Sequence, residues 1–322
     1  MTTGPAYAQV AAALRELALT HPWEDDGPLP AESVLTGRFG VSRGTLRRAT
    51  EELVRDGLLS SEPGRGTYVR RHAQLRALIG ERLRGIAIPD SRWHLDVHAF
   101  VPDFAGSQQC LATLRERAEY RAADLVVITP DNSLRALVRA ALDDGKTVVV
   151  PTYGLRRGFV RLDASAVPAE HREFAATLDG LERFGTTLDL AALRVLSHVD
   201  LLVTGAVAFS TDGVHVGSES AYLDLEWGIL AELGLADAAT AVVGIAHDEQ
   251  VVSVPLQPLA GGVRVDTVLT PSRSHENTVP PARPAGITWN AVGEERLTDN
   301  PYLKSLRPAP GERTAPLKGR TS

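Results

Sequence analysis

Arginine side chains concentrate in two short segments near the start of the chain. Arg43 and Arg47 lie four residues apart just after Ser42, and Arg65 stands between two glycines in the sequence Pro-Gly-Arg-Gly. On a helix, a spacing of four residues places both guanidinium groups on one face. Because a guanidinium group hydrogen-bonds to guanine edges and to phosphates, these residue types and spacings indicate binding to a nucleic acid.

The sequence around these arginines predicts three helices followed by a hairpin. Apolar residues three and four positions apart indicate helices over 7–18 and 31–39, and Ser42 is a favourable N-cap for a third helix that ends at Asp56. Two short strands flank the Pro-Gly-Arg-Gly turn. This arrangement is typical of a winged helix-turn-helix, whose last helix enters the major groove. The residues expected to contact DNA are Arg38, Ser42, Arg43, Thr45, Arg47, Arg65 and Gly66.

Residues 29–71 resemble the GntR-type winged helix of bacterial transcription regulators. The matching motifs are Leu-Pro-x-Glu from Leu29, Val-Ser-Arg-x-Thr from Val41, Asp-Gly-Leu from Asp56 and Gly-Arg-Gly-Thr-Tyr-Val from Gly64. Ala31 stands where the family usually has serine, which removes a cap worth about 1 kcal/mol from the second helix. The resemblance implies double-stranded operator DNA as a partner, and paired half-sites favour a homodimer.

The overall charge of the chain is acidic and does not by itself favour DNA. The 34 basic and 40 acidic residues give a formal net charge of −6, yet residues 1–71 carry equal numbers of both. The acidic excess therefore belongs to residues 72–322. A merely solvated arginine face is the alternative interpretation, but the concentration of arginines on the third helix and the hairpin favours DNA binding.

The chain is expected to be multidomain, with an α/β domain of three layers after the winged helix. An arginine-rich amphipathic helix over 72–88 opens this domain. Uninterrupted apolar strands then alternate with helices, which favours a mainly parallel sheet covered on both faces. The predicted strands are 124–130, 147–151, 199–209, 241–247 and 265–271. The polar residues 308–322 are expected to form a disordered tail, so the predicted division is 1–71, 72–307 and 308–322.

Threonine, serine, aspartate and glycine follow several of these strands, and such residues suit a polar ligand at the carboxyl edge of a sheet. The order and spacing of seven segments are similar to the 5-formyltetrahydrofolate cyclo-ligase family, especially its methenyltetrahydrofolate synthetase-domain branch. These segments are 101–107, 129–159, 199–217, 221–230, 246–252, 265–273 and 286–307. The resemblance implies a folate pocket and a nucleotide site. The residues placed there are Phe104, Gly106 and Ser107 for the folate, Gly217, Tyr222 and Asp224 for the nucleotide, and His247 and Asp248 beside them.

The loop that the resemblance assigns to a nucleotide departs from the family pattern. The family has glycines and a lysine before Tyr-x-Asp, whereas this chain has Ser218 and Glu219 there. Glycine amides and a lysine stabilise phosphates, and the carboxylate of Glu219 repels them. We therefore expect a folate-like or nucleotide-like ligand without catalysis, and ATP with magnesium only if the domain is a working ligase.

The sequence leaves three functions open. The first is a transcription regulator that senses a small-molecule effector. The second is an active ATP-dependent cyclo-ligase with an auxiliary DNA-binding module, and the third is a constitutive repressor whose second domain only dimerises. The chain shows no signal sequence and no apolar run of ~18 residues, so we expect a cytoplasmic protein with no membrane partner.

Other reactive side chains are weaker candidates. Cys110 is the single cysteine, which excludes an intrachain disulfide and a cysteine zinc cage, and it is expected to pack in a helix. His94 and His98 have a spacing that surface histidines also show, so no metal site is predicted. His247 and Asp248 form either an acid/base pair or a pair that orients its loop.

Overall fold

The computed structural model describes residues 6–22, 26–89, 101–217, 222–254, 256–277, 279 and 283–308. The chain forms two compact units, Met1–Glu81 and Arg82–Ser322. This division falls later in the chain than the domain boundary predicted after residue 71. The pair His94 and His98, residues 218–221 and nearly all of the predicted tail lie outside the described residues.

The first unit consists of helices closed by a hairpin. Its elements are α1 (Ala6–Leu19), α2 (Glu32–Phe39), α3 (Arg43–Arg55), β1 (Leu59–Glu62) and β2 (Gly66–Val69), followed by α4 (Arg71–Leu83). Ser42 caps α3, and the buried Leu14, Leu46 and Leu53 pack in one apolar cluster between α1 and α3. The strands β1 and β2 pair in antiparallel register. The predicted winged helix-turn-helix is therefore confirmed.

The helix α4 is shorter than the sequence pattern predicts. It ends at Leu83 rather than at residue 88, because Gly85 and Pro89 follow and neither favours a helix. Near its start, Gln74 Nε2 donates hydrogen bonds to the carbonyl oxygens of Leu19 and His21. These bonds tie the first turns of α4 to the first unit.

The second unit alternates helices and strands. Its helices are α5 (Ser107–Glu116), α6 (Ala118–Ala122), α7 (Arg135–Asp143), α8 (Arg172–Ala175), α9 (Leu178–Phe184), α10 (Leu190–Arg194), α11 (Tyr222–Glu232), α12 (Glu294–Asp299) and α13 (Leu303–Leu306). Its strands are β3 (Leu125–Ile128), β4 (Thr147–Pro151), β5 (Phe159–Asp163), β6 (Thr186–Leu188), β7 (Leu201–Gly205), β8 (Ala208–Ser210), β9 (His215–Val216), β10 (Ala241–Ile245), β11 (Val251–Val252), β12 (Thr267–Leu269) and β13 (Ser274–Glu276). Among the described residues, no helix is both long enough and apolar enough to span a bilayer.

An eight-stranded sheet organises this unit, with the strand order β13-β12-β10-β7-β3-β4-β5-β6. The five strands from β12 to β4 are parallel, whereas β13, β5 and β6 pair antiparallel at the two edges. A smaller sheet has the order β11-β8-β9. The mainly parallel α/β architecture predicted from the sequence is confirmed.

Apolar side chains of the central strands alternate between two cores. Val127 and Leu202 pack in the core that contains Trp227 of α11, and their neighbours Val126 and Leu201 pack in the core covered by α5 and α7. Successive strand residues point to opposite faces, so uninterrupted apolar runs fill both cores. The helices thus form a layer on each side of the sheet.

The run 199–209, predicted as one strand, forms two strands in different sheets. β7 ends at Gly205 and β8 begins at Ala208. Between them, Gln250 Nε2 donates to the Ala206 carbonyl oxygen at 2.6 Å, and the Val207 amide donates to the Val216 carbonyl oxygen at 2.8 Å. The side chain of Gln250 thus supplies the hydrogen bond that a neighbouring strand would otherwise donate to Ala206. After this residue the chain leaves the main sheet.

The segment 294–307 closes the sheet edge formed by β5 and β6. Tyr302 stacks on Phe159 with the ring centroids 5.9 Å apart, and its hydroxyl accepts from the Phe159 amide at 2.9 Å and donates to the Leu188 carbonyl oxygen at 2.6 Å. A Cβ at Gly158 would lie 1.9 Å from the Tyr302 hydroxyl, so only glycine leaves room for this ring.

Candidate DNA-binding surface and ligand cavity

The amino end of α3 presents an exposed arginine. Arg43 is exposed, and among the described residues its guanidinium group forms no ion pair. The preceding Ser42 Oγ accepts from the Thr45 amide at 3.2 Å and lies 3.0 Å from Thr45 Oγ1. A free guanidinium at the positive end of a helix suits a phosphate or a guanine edge.

Arg47, one turn further along α3, has a partner within the protein. Its Nε and Nη2 donate to the two carboxylate oxygens of Glu32 at 2.6 and 3.1 Å, and these hydrogen bonds lower the pKa of Glu32. The pair joins α3 to α2. Arg38 is exposed in the last turn of α2, with its guanidinium carbon 6.0 Å from the centre of the Phe39 ring.

Arg65 lies at the tip of the hairpin between β1 and β2. Its Nη1 is 2.9 Å from Glu62 Oε2, and 76% of its side chain is exposed. Gly66 adopts a φ of +136°, and a Cβ there would lie 2.6 Å from Pro28 Cβ. Gly66 therefore serves the packing of the hairpin against the loop before α2, whereas Arg65 extends into solvent.

A cavity of about 110 Å³ lies at the carboxyl ends of β3, β4 and β7, beside α11. Its polar side chains include Asp131, Asn132, Arg135, His215, Tyr222 and Glu226. The crevice outside the carboxyl ends of parallel strands is the usual ligand site of open α/β sheets. The fold therefore places these side chains where a ligand is expected.

Two carboxyl groups line this cavity, that of the half-buried Asp131 and that of the buried Glu226. Asp131 Oδ2 accepts from Thr129 Oγ1 at 2.5 Å and from the Gly205 amide at 3.0 Å, which opposes the rise in its pKa that burial causes. Glu226 is 2% exposed, and its Oε2 has no hydrogen-bond partner among the described residues. Burial, with repulsion from Asp131 and Asp224, raises the pKa of Glu226 to about 8. Glu226 is therefore mainly a neutral acid at pH 7.

His215 and Asp224 form a second polar pair at the cavity wall. His215 Nε2 lies 3.7 Å from Asp224 Oδ1, and both side chains are largely buried. His215 Nδ1 donates to the Val263 carbonyl oxygen at 3.2 Å, and Asp224 Oδ1 accepts from the Val263 amide at 2.9 Å. Asp224 thus holds Val263 and His215 in place, and it is not among the residues that line the cavity.

Gly217 and Tyr222, which the resemblance places near a nucleotide, both line the cavity. The Tyr222 ring centroid is 6.3 Å from that of Tyr153, and the guanidinium carbon of Arg296 lies 5.5 Å from the Tyr222 centroid. Gly154 has a φ of +65°, and a Cβ there would lie 3.2 Å from the Tyr222 hydroxyl. Aromatic and cationic groups therefore meet at the start of α11.

The remaining predicted ligand residues gather elsewhere, near the carboxyl ends of β10 and β12. They are Phe104, Gly106, Ser107, His247 and Asp248, and the cavity lining includes none of them. Phe104 and His247 meet edge to face at 5.8 Å, and a Cβ at Gly106 would lie 2.7 Å from Pro271 Cγ. Ser107 is buried at the start of α5. The structure thus places the eight predicted residues in two groups, with His247 and Asp248 beside the residues predicted for the folate.

The side chains of His247 and Asp248 bond to their own surroundings. Asp248 Oδ1 accepts from Thr270 Oγ1 at 2.6 Å and from Ser272 Oγ at 2.5 Å. Burial acts to raise the pKa of Asp248, but these hydrogen bonds outweigh it and hold the pKa below its ordinary value. His247 Nδ1 accepts from the Glu249 amide at 3.2 Å. This geometry favours the loop-orienting interpretation of the pair.

Neither thiol chemistry nor a metal centre is evident in the described parts of the chain. Cys110 is buried, and burial raises the pKa of its thiol to about 12, far above that of a reactive thiolate. Within the ranges that the structure describes, no group of three or more His, Cys, Asp or Glu side chains is arranged to hold a metal ion.

Comparison with known proteins distinguishes two regions of the chain. A model of the 5-formyltetrahydrofolate cyclo-ligase family matches residues 69–271. The chain belongs to this family. A model of the bacterial regulatory proteins of the gntR family matches residues 6–69, so the cyclo-ligase-family domain follows a GntR DNA-binding domain.

Relatives of the two regions come from different kinds of protein. The human methenyltetrahydrofolate synthase domain-containing protein is 32% identical over 215 residues, which are 66% of this chain and 55% of that protein. The HTH-type transcriptional repressor NagR of Bacillus subtilis is 38% identical over 76 residues, 24% of this chain and 31% of the repressor. The NMR structure of Aquifex aeolicus 5,10-methenyltetrahydrofolate synthetase matches with a TM-score of 0.42 and 15% identity, over 65% of this chain and 94% of that one. The chain spans about half the length of the curated relatives that its cyclo-ligase-family domain matches.

Sequence reasoning did not single out Asp131, His215 or Glu226 of the cavity. Asp131 follows β3 in a Thr-Pro-Asp segment, which is the position expected for a ligand residue of a parallel sheet. Glu226 stands between Leu225 and Trp227 in a helix whose residues are mostly buried. A glutamate within such an apolar run was the available signal, because burying a carboxyl group costs free energy that a structural or functional role must offset.

Proposed function

We propose that this protein is a sequence-specific, DNA-binding transcription regulator whose cyclo-ligase-family domain senses a small molecule. The observation that supports it best is the exposed guanidinium of Arg43 at the start of α3, which forms no ion pair within the described residues, in a GntR domain joined to a cyclo-ligase-family domain. Arginine at this position of a winged helix is suited to read guanine in the major groove. The proposed partner is double-stranded operator DNA.

The loop sequence before Tyr222 supports sensing over catalysis. Residues 217–221 read Gly-Ser-Glu-Ser-Ala and contain no lysine. The cavity that Gly217 and Tyr222 line also holds two carboxyl groups, those of Asp131 and Glu226. Both features disfavour the triphosphate of ATP, which needs positive charge and free backbone amides.

A dimer completes the proposed mechanism. Two winged helices bind two half-sites about one helical turn apart, so the orientation of the two copies determines operator affinity. A ligand that prefers one orientation shifts this affinity, with a typical coupling of ~1–3 kcal/mol. The proposed compartment is the cytoplasm, where such a regulator meets both DNA and metabolites.

The DNA-binding part is tested by affinity sequencing of genomic fragments, followed by gel shifts on the recovered sequence. Arg43→Ala is expected to weaken specific binding by about 1–3 kcal/mol. Arg55→Ala, an exposed arginine at the other end of α3, serves as the matched control and is expected to bind normally. Equal binding by the wild type and Arg43→Ala would show that α3 does not read the operator.

The sensing part is tested against the enzymatic alternative, which membership of the cyclo-ligase family favours. The full chain is incubated with 5-formyltetrahydrofolate, ATP and magnesium, and methenyl-folate formation is followed by absorbance. Turnover at ordinary enzyme rates would show that the second domain is an enzyme rather than a sensor. It would not affect the proposal that the first domain binds DNA. A thermal shift with folate or nucleotide but without turnover supports sensing. No shift with any compound favours a domain that only dimerises.

A further inference from the structure

We propose that the cavity takes a small molecule through a basic nitrogen, an ammonium or guanidinium group, held between the carboxyl groups of Asp131 and Glu226. This inference rests on the proposed function, because it assigns a ligand class to the sensing cavity. It differs from the folate-like or nucleotide-like expectation, since those ligands are anionic at the phosphate or carboxylate end.

The carboxyl group of Glu226 has an oxygen without a hydrogen-bond partner in the described part of the chain. Glu226 is 2% exposed and lines the cavity, and its Oε2 has no hydrogen-bond partner among the described residues. Buried polar atoms are nearly always hydrogen-bonded in folded proteins. Because Glu226 lines the cavity, its unsatisfied carboxyl group points to a hydrogen-bonding partner that arrives with a ligand. The opposing carboxyl group of Asp131 already receives two donors, from Thr129 and Gly205.

The basic side chains that line the cavity interact with other residues of the protein. Arg135 of α7 is 47% exposed and lies 3.6 Å from Glu173. His215 of β9 donates to the Val263 carbonyl oxygen and faces Asp224 of α11. Within the described residues, no other Lys, Arg or His side chain lines the cavity.

The charge state of Glu226 depends on what the cavity holds. Burial and repulsion from Asp131 and Asp224 raise the pKa of Glu226 to about 8, so the empty site keeps a proton on Glu226 at pH 7. A bound cation stabilises the carboxylate form, and the proton leaves to solvent. An anion cannot use the ionised form of Glu226, which forms at pH 7 only when a positive charge arrives. A positive charge is therefore the kind of group that this pair of carboxyl groups binds when both are ionised.

The size of the cavity limits the group that enters. A volume of about 110 Å³ is smaller than the ~150 Å³ that accommodates benzene in an engineered protein cavity. It therefore suits a guanidinium or ammonium group with a short carbon stem. Asn132 Nδ2 also has no hydrogen-bond partner within the described residues, but it does not decide the charge of the ligand, because the amide presents either atom after a 180° rotation.

The test is isothermal titration calorimetry of the full chain with four probes of similar size: methylguanidinium, propylammonium, neutral N-methylurea and anionic propionate. We expect the two cations to bind and the other two not to bind. Affinity for the cations is expected to rise up to tenfold per pH unit between about pH 6 and pH 8, and to level off above. Titrations in buffers of different ionisation enthalpy are expected to show release of nearly one proton at pH 7.

Glu226→Gln keeps the shape of the side chain but cannot become charged. It is expected to weaken cation binding more than tenfold at pH 8 and to abolish the pH dependence. Glu182→Gln, the same change at an exposed carboxylate paired with Arg157, is the matched control and is expected to leave both unchanged. Circular dichroism of each variant verifies that it is folded.

Three results would overturn the inference. They are equal binding of N-methylurea and methylguanidinium, binding of propionate but not of the cations, and cation binding that Glu226→Gln leaves intact. Titration with 5-formyltetrahydrofolate in the same series separates this inference from the proposed function. If that compound binds and the cations do not, the ligand class is wrong while sensing stands. If none of these compounds binds but operator DNA still shifts, the ligand class is wrong and the result favours a domain that only dimerises.

Discussion

Two parallel hydrogen bonds join Arg47 to Glu32, and through them α3 to α2. The Nε–Oε1 distance is 2.6 Å and the Nη2–Oε2 distance is 3.1 Å. A planar guanidinium matches a carboxylate in this fork, and an ammonium group does not. The pair therefore links α3 to α2, although Arg47 has the residue type expected of a direct DNA contact.

Arg47→Lys and Glu32→Gln are expected to weaken operator binding to a similar extent, because each breaks the fork. The double variant is expected to be no weaker than either single variant, since both changes remove one interaction. Fluorescence anisotropy with labelled operator measures the affinities, and thermal melting verifies the fold. If Glu32→Gln binds normally while Arg47→Ala does not, Arg47 acts by touching DNA.

Arg65→Ala is expected to weaken binding more on operators with A·T-rich flanks than on operators with G·C-rich flanks. The reason is that a narrow A·T minor groove has an enhanced negative potential that attracts arginine. Gel shifts on two operators that differ only in their flanks measure the effect. Glu62→Gln, which removes the ion-pair partner of Arg65, is the control and is expected to retain binding. Equal losses on both flanks would place Arg65 on the phosphate backbone instead.

The stability of the second unit is expected to fall as the pH rises from 4.5 to about 8, through Glu226. In this window the folded state keeps a proton that the unfolded state has lost, so the free energy of unfolding decreases by up to about 1.4 kcal/mol per pH unit. Above the folded pKa the contribution is constant. Urea denaturation of wild type and Glu226→Gln at several pH values measures the difference, which is expected to change across this window. A constant difference would contradict the assignment.

Gly205→Ala is expected to disturb the cavity, because the new Cβ would lie 2.9 Å from the Asp131 carboxyl carbon. Asp131 must then move and lose its hydrogen bond from the residue 205 amide, at a cost of about 1–3 kcal/mol. Gly37→Ala in α2 meets no atom within 4 Å and is expected to stabilise its helix by about 0.5–1 kcal/mol. Chemical denaturation compares the two variants. Equal effects at both positions would show that Gly205 has no special packing role.

The winged helix was predictable because its signals are local. Ser42 caps the helix that follows it, and the left-handed Gly40 ends the helix before it. The glycines on either side of Arg65 mark the hairpin turn. Each of these features depends on residues within one or two turns, so the order of residue types was sufficient to place α2, α3 and the hairpin.

The ligand cavity was only partly predictable because its contacts join distant parts of the chain. The strand ends indicated the correct edge of the sheet, yet the approach of Asp131 to Glu226 depends on how α11 packs. Asp224 looked like a ligand residue, but its hydrogen bond goes to Val263. Likewise, the turn of the chain after β7 depends on Gln250, which no periodicity links to Ala206. Such pairings follow from tertiary packing and not from local propensity.

The position of Tyr302 has a consequence for the order in which the chain folds during synthesis. Its ring and hydroxyl connect Phe159 and Leu188, which belong to the two strands at the edge of the main sheet. Those strands leave the ribosome long before residue 302 does. The winged helix can therefore fold while translation continues. The second unit cannot complete its sheet edge until residue 302 has been synthesised, and an exposed sheet edge is prone to aggregation.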